Sequence, residues 1–264
     1  VRNLLSIAIV LGCSVVVNPF QIPAPILVHR SDFLIAPNQD HGVSPGRSKF
    51  ASARRMTDID FMINNDATDG DVPRTMQAAA SRFLFGPDHG PLSVIALLIG
   101  FAAWRQNLAA LGIVDFVVAG LAVVFWGIQE YFLHQKVLHS TFDWAGKEIH
   151  RGHHAKPYFH ISIDPAGLMV GWLLISHAIA QIFLPTPQAI SATLGYSAAG
   201  LFYEWAHYIV HTKVRPPNDF WRRVRDNHMR HHNVDDQFWF SFSIPALDDW
   251  FGTNPSVQEV RRRK

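Results

Sequence analysis

The chain has 264 residues, enough for one sizeable domain, with 48% apolar residues, a mean hydropathy of +0.08 and a formal charge of +2. Its single cysteine, Cys13, excludes an internal disulfide and a thiolate metal site, so any metal must be held by histidine or carboxylate. The net charge itself says little, its distribution matters more, and no nucleic-acid partner is expected.

The N-terminal part reads as a targeting or disordered segment, residues 1–55. Arg2 followed by the apolar run Leu4 to Val17 is like the n- and h-regions of a secretory signal and too short for a membrane span. Ser44 to Arg55 is rich in Ser, Arg and Ala and free of acidic residues, as organelle transit peptides are. Together they point to a plastid reached through the secretory route, with a disordered arm as the alternative; the expected location is an endoplasmic reticulum or plastid membrane. Residues 56–90 form a polar region with Asp58, Asp60, Asp66, Asp69 and Asp71, and a helix is expected from Pro73 to Phe83.

Four apolar runs follow within residues 91–253: Pro91 to Trp104, Ile113 to Leu133, Ala166 to Leu184 and Ala189 to Ala206. A bilayer span needs roughly 20 apolar residues. The last three runs fit and the first is short. Arg105, Gln106 and Asn107 read as a turn between the first two, and Pro185 and Pro187 as the break between the last two. The expectation is an all-α integral membrane fold with four transmembrane helices in two hairpins. Arg105 is the basic residue on the side of the two short turns. Arg74, Arg82, Arg222, Arg223, Arg225 and Arg230 fall on the other side, which places a helical, histidine-rich cap in the cytosol or stroma. Asp115 lies near the start of the second run and can reach the interface. His177 lies deeper, and a neutral, hydrogen-bonded ring is favoured there over a ligand. Residues 254–264 end in the basic tail Arg261 to Lys264, which is solvated or touches anionic headgroups.

The chemistry is carried by histidine. Ten of the fifteen histidines fall in four tight groups beside the apolar runs: His134 and His139 (HxxxxH), His150, His153 and His154 (HxxHH), His207 and His211 (HxxxH), and His228, His231 and His232 (HxxHH). Residues three and four apart share a helix face, so each HxxHH points one way. His134 and His139 are about 140° apart on an ideal helix. They converge only if the helix loosens at its end or metals lie between its two sides. Imidazole suits iron, zinc, copper and nickel. Ten clustered rings exceed one zinc site and suit two metals with open positions. Glu130, four residues before His134, and Glu204, three before His207, are expected to take imidazole N–H groups from behind; Asp235 and Asp236 are further candidates. His29, His41 and His89 read as solvated or structural, and His160 as lining the site without ligating. So many polar rings without partners would be costly to bury, which argues against plain packing.

The stretches EYFLHQKVLH, HRGHH, YEWAHYIVH and NHMRHH, followed by Pro245 to Thr253, resemble the fatty acid hydroxylase/sterol desaturase superfamily over roughly Leu84 to Thr253. The resemblance implies an integral-membrane, non-haem dimetal monooxygenase. It would use O2 and two electrons to hydroxylate or desaturate lipid. Carried over, the ligands would be His134, His139, His150, His153, His154, His207, His211, His228, His231 and His232. The metals would be two non-haem ions, iron in the family, with zinc an option in isolated protein. The HxxxH before the last HxxHH is closer to fatty acid 2-hydroxylases than to carotenoid hydroxylases. The interval from His139 to His150 is shorter than in the former, and no HPGG stretch of a cytochrome b5-like domain occurs in these residues.

The leading reading is therefore an O2-dependent lipid hydroxylase that inserts a hydroxyl into an unactivated C–H of an acyl or isoprenoid chain. The expected partners are the lipid substrate, the bilayer and an electron donor, either cytochrome b5 with its reductase or ferredoxin. The basic surface from Arg222 to Arg230 could dock an acidic donor or lipid headgroups. Phe238, Trp239, Phe240 and Phe242 line a substrate path or form an interfacial anchor. The alternatives are a sterol desaturase or methyl-sterol oxidase, a carotenoid ring hydroxylase and, from another class, a membrane metal-binding or transport protein. A catalytically dead relative is a further alternative, against which the intact histidine set argues.

Overall fold

A computed structural model describes residues 72–86, 89–156 and 163–263. The expected targeting segment, residues 56–71 of the polar region and His160 lie outside them. The regular structure of the described residues is entirely helical.

Helix α1 (Met76–Phe85) starts where Thr75 Oγ1 accepts the Ala78 N–H, a side-chain N-cap. It lies close to the helix expected from Pro73 to Phe83. Helix α2 (Gly90–Leu108) follows at a 72° bend. Arg105, Gln106 and Asn107, read as a turn, form instead the last turn of α2. Their turn position is overridden by an ion pair: Arg105 donates from Nε and Nη2 to both Asp115 oxygens, at 2.8 and 2.6 Å. Ser191 Oγ and the Gly112 amide complete the shell around Asp115. Asp115 is thus buried in a neutralised cluster.

Helix α3 (Ile113–Phe132) runs into a π-helical turn, Leu133–Leu138. Helix α4 (Ala145–Ala155) carries the first HxxHH, and α5 (Ala166–Phe183) is the next long apolar helix. Helix α6 (Thr186–Val210) begins after Pro185, with Pro187 in its first turn, where a missing N–H costs nothing. The two prolines start a helix as well as ending one. Helix α7 (Asp219–Asn233), capped by Asn218, carries the second HxxHH. Two short helices close the chain, α8 (Ala246–Trp250) and α9 (Val257–Arg263). Val260 on α9 is buried and Arg263 lies over the Phe238 ring, so the basic tail is a docked helix.

Among the described residues two helices are long and apolar enough to cross a bilayer, Ile113–Leu138 and Ala166–Phe183, and three if the bent α1–α2 pair counts as one span. Their outer faces leave Ile113, Phe116, Leu121, Phe125, Ile182 and Phe183 exposed, as lipid-facing surfaces do. Helix α6 packs against α2, α3 and α5 together. It approaches α3 closely at Gly195, where a Cβ would lie 2.2 Å from the Ala119 carbonyl oxygen. Trp172 Nε1 donates to Tyr196 Oη, which donates to Gln129 Oε1, so three apolar helices share one polar tie. His177 is hydrogen-bonded to Thr193 and Gln181 and packs on Phe101 and Trp104, away from the other histidines, as a structural ring should.

Candidate metal centre

All ten clustered histidines come to one end of this helix bundle. Their side chains sort into two adjoining groups. One nitrogen each from His134, His139, His150, His154 and His231 lies within 4.8 Å of the others, and the same holds for His153, His211, His228 and His232. His207 joins the second group through Nε2, 2.9 Å from Nε2 of His153. The two groups touch where His154 and His232 stack at 4.1 Å between ring centres.

Each HxxHH is split between the groups. From α4, His150 and His154 face the first group and His153 the second; from α7, His228 and His232 face the second and His231 the first. Positions i and i+4 lie about 40° apart on a helix while i+3 falls on the other flank. One helix face is therefore wide enough to serve two neighbouring centres. The HxxxxH pair is accommodated differently. The His139 amide donates to the His134 carbonyl at 3.2 Å, an i→i+5 bond that makes the turn a π-turn. This extra residue per turn brings the five-residue spacing onto one side. The helix does loosen at its end.

A loop holds the first group from outside. His134 Nδ1 lies 2.6 Å from the Phe240 carbonyl oxygen and His231 Nδ1 2.7 Å from that of Phe238. A carbonyl only accepts, so in each ring the proton sits on Nδ1 and the Nε2 lone pair faces the cluster. Between these carbonyls Trp239 adopts φ 57°, a left-handed conformation that strains a bulky residue. The strain is enforced by a network. Asp248, fully buried, accepts the Phe240 and Ser241 amides and the Thr253 hydroxyl, and the Trp239 amide donates to the Thr253 carbonyl. Burial pushes the Asp248 carboxyl up to about 6, against those hydrogen bonds.

Among the described residues, the hydrogen-bond partners of Glu130 and Glu204 are backbone amides and not imidazoles. Glu130 accepts the Phe242 and Ser243 amides, and Glu204 accepts the Asp164 amide. At His134 and His231 the job of orienting the imidazole N–H falls to main-chain carbonyls, which carry no sequence signature. Asp236 Oδ2 does lie near an imidazole, 3.8 Å from His139 Nδ1. Trp239, Phe240 and Phe242 are buried, with Phe242 against His134, His207 and His228 and Phe240 against His134, His139 and His231. Phe240 and Phe242 wall the centre, and none of the three forms an exposed anchor.

This donor set fits metal ions. His150 Nε2 stands 3.2, 2.9 and 3.1 Å from the Nε2 atoms of His134, His139 and His154, and a single ring proton cannot bridge three neighbours. Protonating the rings is no remedy. Burial first, then neighbouring histidines, hold His150, His228 and His231 well below the usual imidazole range; burial likewise brings His154 to about 4 and His232 to about 3. His139 is also lowered by burial, opposed by Asp236. Converging neutral lone pairs at these separations call for cations between them.

Residues 119–253, half of the chain, match the family model described as fatty acid hydroxylase. No curated protein sequence matches the chain. Among solved structures, a full-length Scs7p of which only the hydroxylase domain is visible is similar, with a TM-score of 0.54 and 18% identity over 64% of this chain and 66% of that one. At that identity the likeness concerns the fold. The match runs from inside α3 to Thr253 and takes in all four histidine groups and the loop that holds them: the chain belongs to the fatty acid hydroxylase family, within the fatty acid hydroxylase/sterol desaturase superfamily.

Proposed function

We propose that the protein is a membrane-bound, O2-dependent lipid hydroxylase with two histidine-ligated iron ions. The observation that carries this reading is the partition of ten imidazoles into two adjoining groups at the end of apolar helices in a chain of this family. His134, His139, His150, His154 and His231 would hold one ion, and His153, His207, His211, His228 and His232 the other. A metal pair there supplies O2 activation; the overall conversion is R–H + O2 + 2e⁻ + 2H⁺ → R–OH + H2O.

The chain's own residues do the rest. The Phe238 and Phe240 carbonyls keep protons on Nδ1 of His231 and His134, so Nε2 stays free to bind. Glu130 fixes Phe242 by its amide, and that ring covers histidines of both groups. Buried aromatic walls exclude water, and the apolar spans deliver an acyl or isoprenoid chain. In this reading α2, α3, α5 and α6 are four spans in two hairpins, with the metal cap on the cytosolic or stromal face of an endoplasmic reticulum or plastid membrane. Electrons come from cytochrome b5 and its reductase or from ferredoxin, docked on the basic surface that includes Arg222 and Arg230.

The test is expression in cells followed by lipid mass spectrometry under 18O2. A lipid hydroxyl carrying one 18O atom is the expected product. A new double bond or an oxidised sterol or carotenoid ring would move the protein to a sister activity. Metal flux without O2 consumption would overturn the enzyme reading.

A further inference from the structure

A cavity lies on the far side of α6 from the metal centre. On this helix His207 and His211 face the imidazole groups, and Trp205 and Ile209, two residues out of phase with them, line the cavity. Met76, Val210, Val214 and Trp221 add apolar wall, and Pro216 and Pro217 stiffen its rim. The other two lining residues are Arg215 and Arg225; no carboxylate lines the cavity. Arg225 donates to the Val214 carbonyl, which holds its guanidinium at the mouth. Arg215 is exposed and has no ion-pair partner among the described residues. The cavity measures about 190 Å³. Small-molecule sites usually enclose about 300–1,000 Å³. This one takes the head end of a ligand, whose remainder must lie outside it.

We infer that this cavity binds an acidic phospholipid of the surrounding bilayer. The two guanidiniums would take the phosphate, and the first methylenes of one acyl chain would lie on the apolar wall. The location suits that occupant. The site is at the C-terminal end of α6, where the chain leaves the apolar bundle, and two tryptophans, a residue type frequent at membrane interfaces, line it. Each guanidinium offers the planar donor fork that suits phosphate oxygens, and the two together supply positive charge with no carboxylate beside them. Trp205 and Ile209 lie across α6 from His207 and His211, so that helix separates the cavity from those two rings. The ligand would brace the link from α6 to α7, the two helices that supply His207, His211, His228, His231 and His232. The inference rests on the membrane reading above and not on hydroxylation.

Native mass spectrometry of the full chain, exchanged in detergent with equal amounts of phosphatidylglycerol and phosphatidylcholine, tests it. The expected result is one retained phosphatidylglycerol, at fivefold or greater preference. Arg215→Gln, a change at an exposed side chain, should bring that preference close to one. Ile209→Trp, which fills the apolar half without altering charge, should do the same, with metal content and gel filtration reporting that the variant is folded. Preference that survives Arg215→Gln overturns the proposal. So does preference that survives a folded Ile209→Trp, since a charged surface alone would then explain it. Displacement by oleate at equal concentration, or by millimolar inorganic phosphate, would assign the site to a fatty acid or a free anion and equally overturn it. Lipid retention is read without turnover, so failure of the hydroxylase assay leaves this result standing, and the reverse.

Discussion

The two histidine groups have the same nitrogen ligands in prospect but different supports. The first, around His150, is fastened from outside: Phe238 and Phe240 carbonyls fix His231 and His134, and Asp236 stands near His139. The second, around His153, is more deeply buried, and in it the Nδ1 atoms of His228 and His232 have no hydrogen-bond partner among the described residues. The first group is therefore set by hydrogen bonds before any ion arrives. In the second, the rings of His228 and His232 are placed by packing, with no hydrogen bond at Nδ1 among the described residues. Outer partners of metal-bound histidine raise affinity and fix the tautomer. The difference teaches that the two sites need not fill or empty together, and it gives an order: the first group should hold its metal more tightly.

The most severe way to probe this contrast is to remove one ring from each side. His231→Ala and His153→Ala should each abolish hydroxylation while leaving membrane insertion intact, and each should lower the bound metal measured by plasma mass spectrometry. His231→Ala should lose the tight ion and leave the protein with the one that chelators remove first. Equal chelation kinetics in the two variants would erase the distinction between the groups.

A smaller change reaches the first group without touching a ligand. Asp248→Asn removes an acceptor for the loop amides at Phe240 and Ser241 and lets the strained Trp239 relax. Metal affinity at the first site should fall by about 10–100-fold, and the second site should keep its ion. Loss of both at the same chelator concentration would mean that the loop serves the whole centre.

Acid acts on both groups together. The folded protein holds His154 near 4 and His232 near 3, below the unfolded value of about 6.5. The unfolded chain therefore binds more protons between those values, and stability falls as pH is lowered through this range. Metal-free protein should lose up to about 1.4 kcal/mol per pH unit for each such ring. Asp248, raised to about 6, contributes with the opposite sign but is one group among several. Melting of the stripped protein in detergent should drop steadily from pH 7 to pH 5; a rise would contradict the buried neutral rings. The mildest probe is Asp236→Asn. That carboxylate is half exposed and 3.8 Å from His139, so the change should cost about 1 kcal/mol or less of first-site affinity.

Much of this architecture could be read from the residues. The apolar runs at Ile113 and Ala166 became α3 and α5 almost to the residue, because bilayer-length apolar stretches leave few alternatives. Convergence of the four histidine groups on one end followed from their placement beside those runs. The division of each HxxHH between two groups did not follow, because spacing gives a face and not the number of centres that face can serve. Arg105 was misplaced since its partner, Asp115, is ten residues away in the first turn of the next helix. The roles given to Glu130 and Glu204 missed the carbonyls of Phe238 and Phe240, since every residue has a carbonyl and only folding aims it.

The π-turn before His139 has a consequence for how this protein tolerates change in chain length. His134 and His139, five apart, both reach the first group, as His207 and His211, four apart, both reach the second, because the π-turn over Leu133–Leu138 holds one residue more than an α-turn. Deleting Gln135 would convert that bulge to ordinary helix and leave an HxxxH in both halves. A shortened chain that still loads two ions would mark the bulge as a scar of insertion, carried without benefit. One that loads a single ion would show that the wider turn sets the distance between His134 and His139.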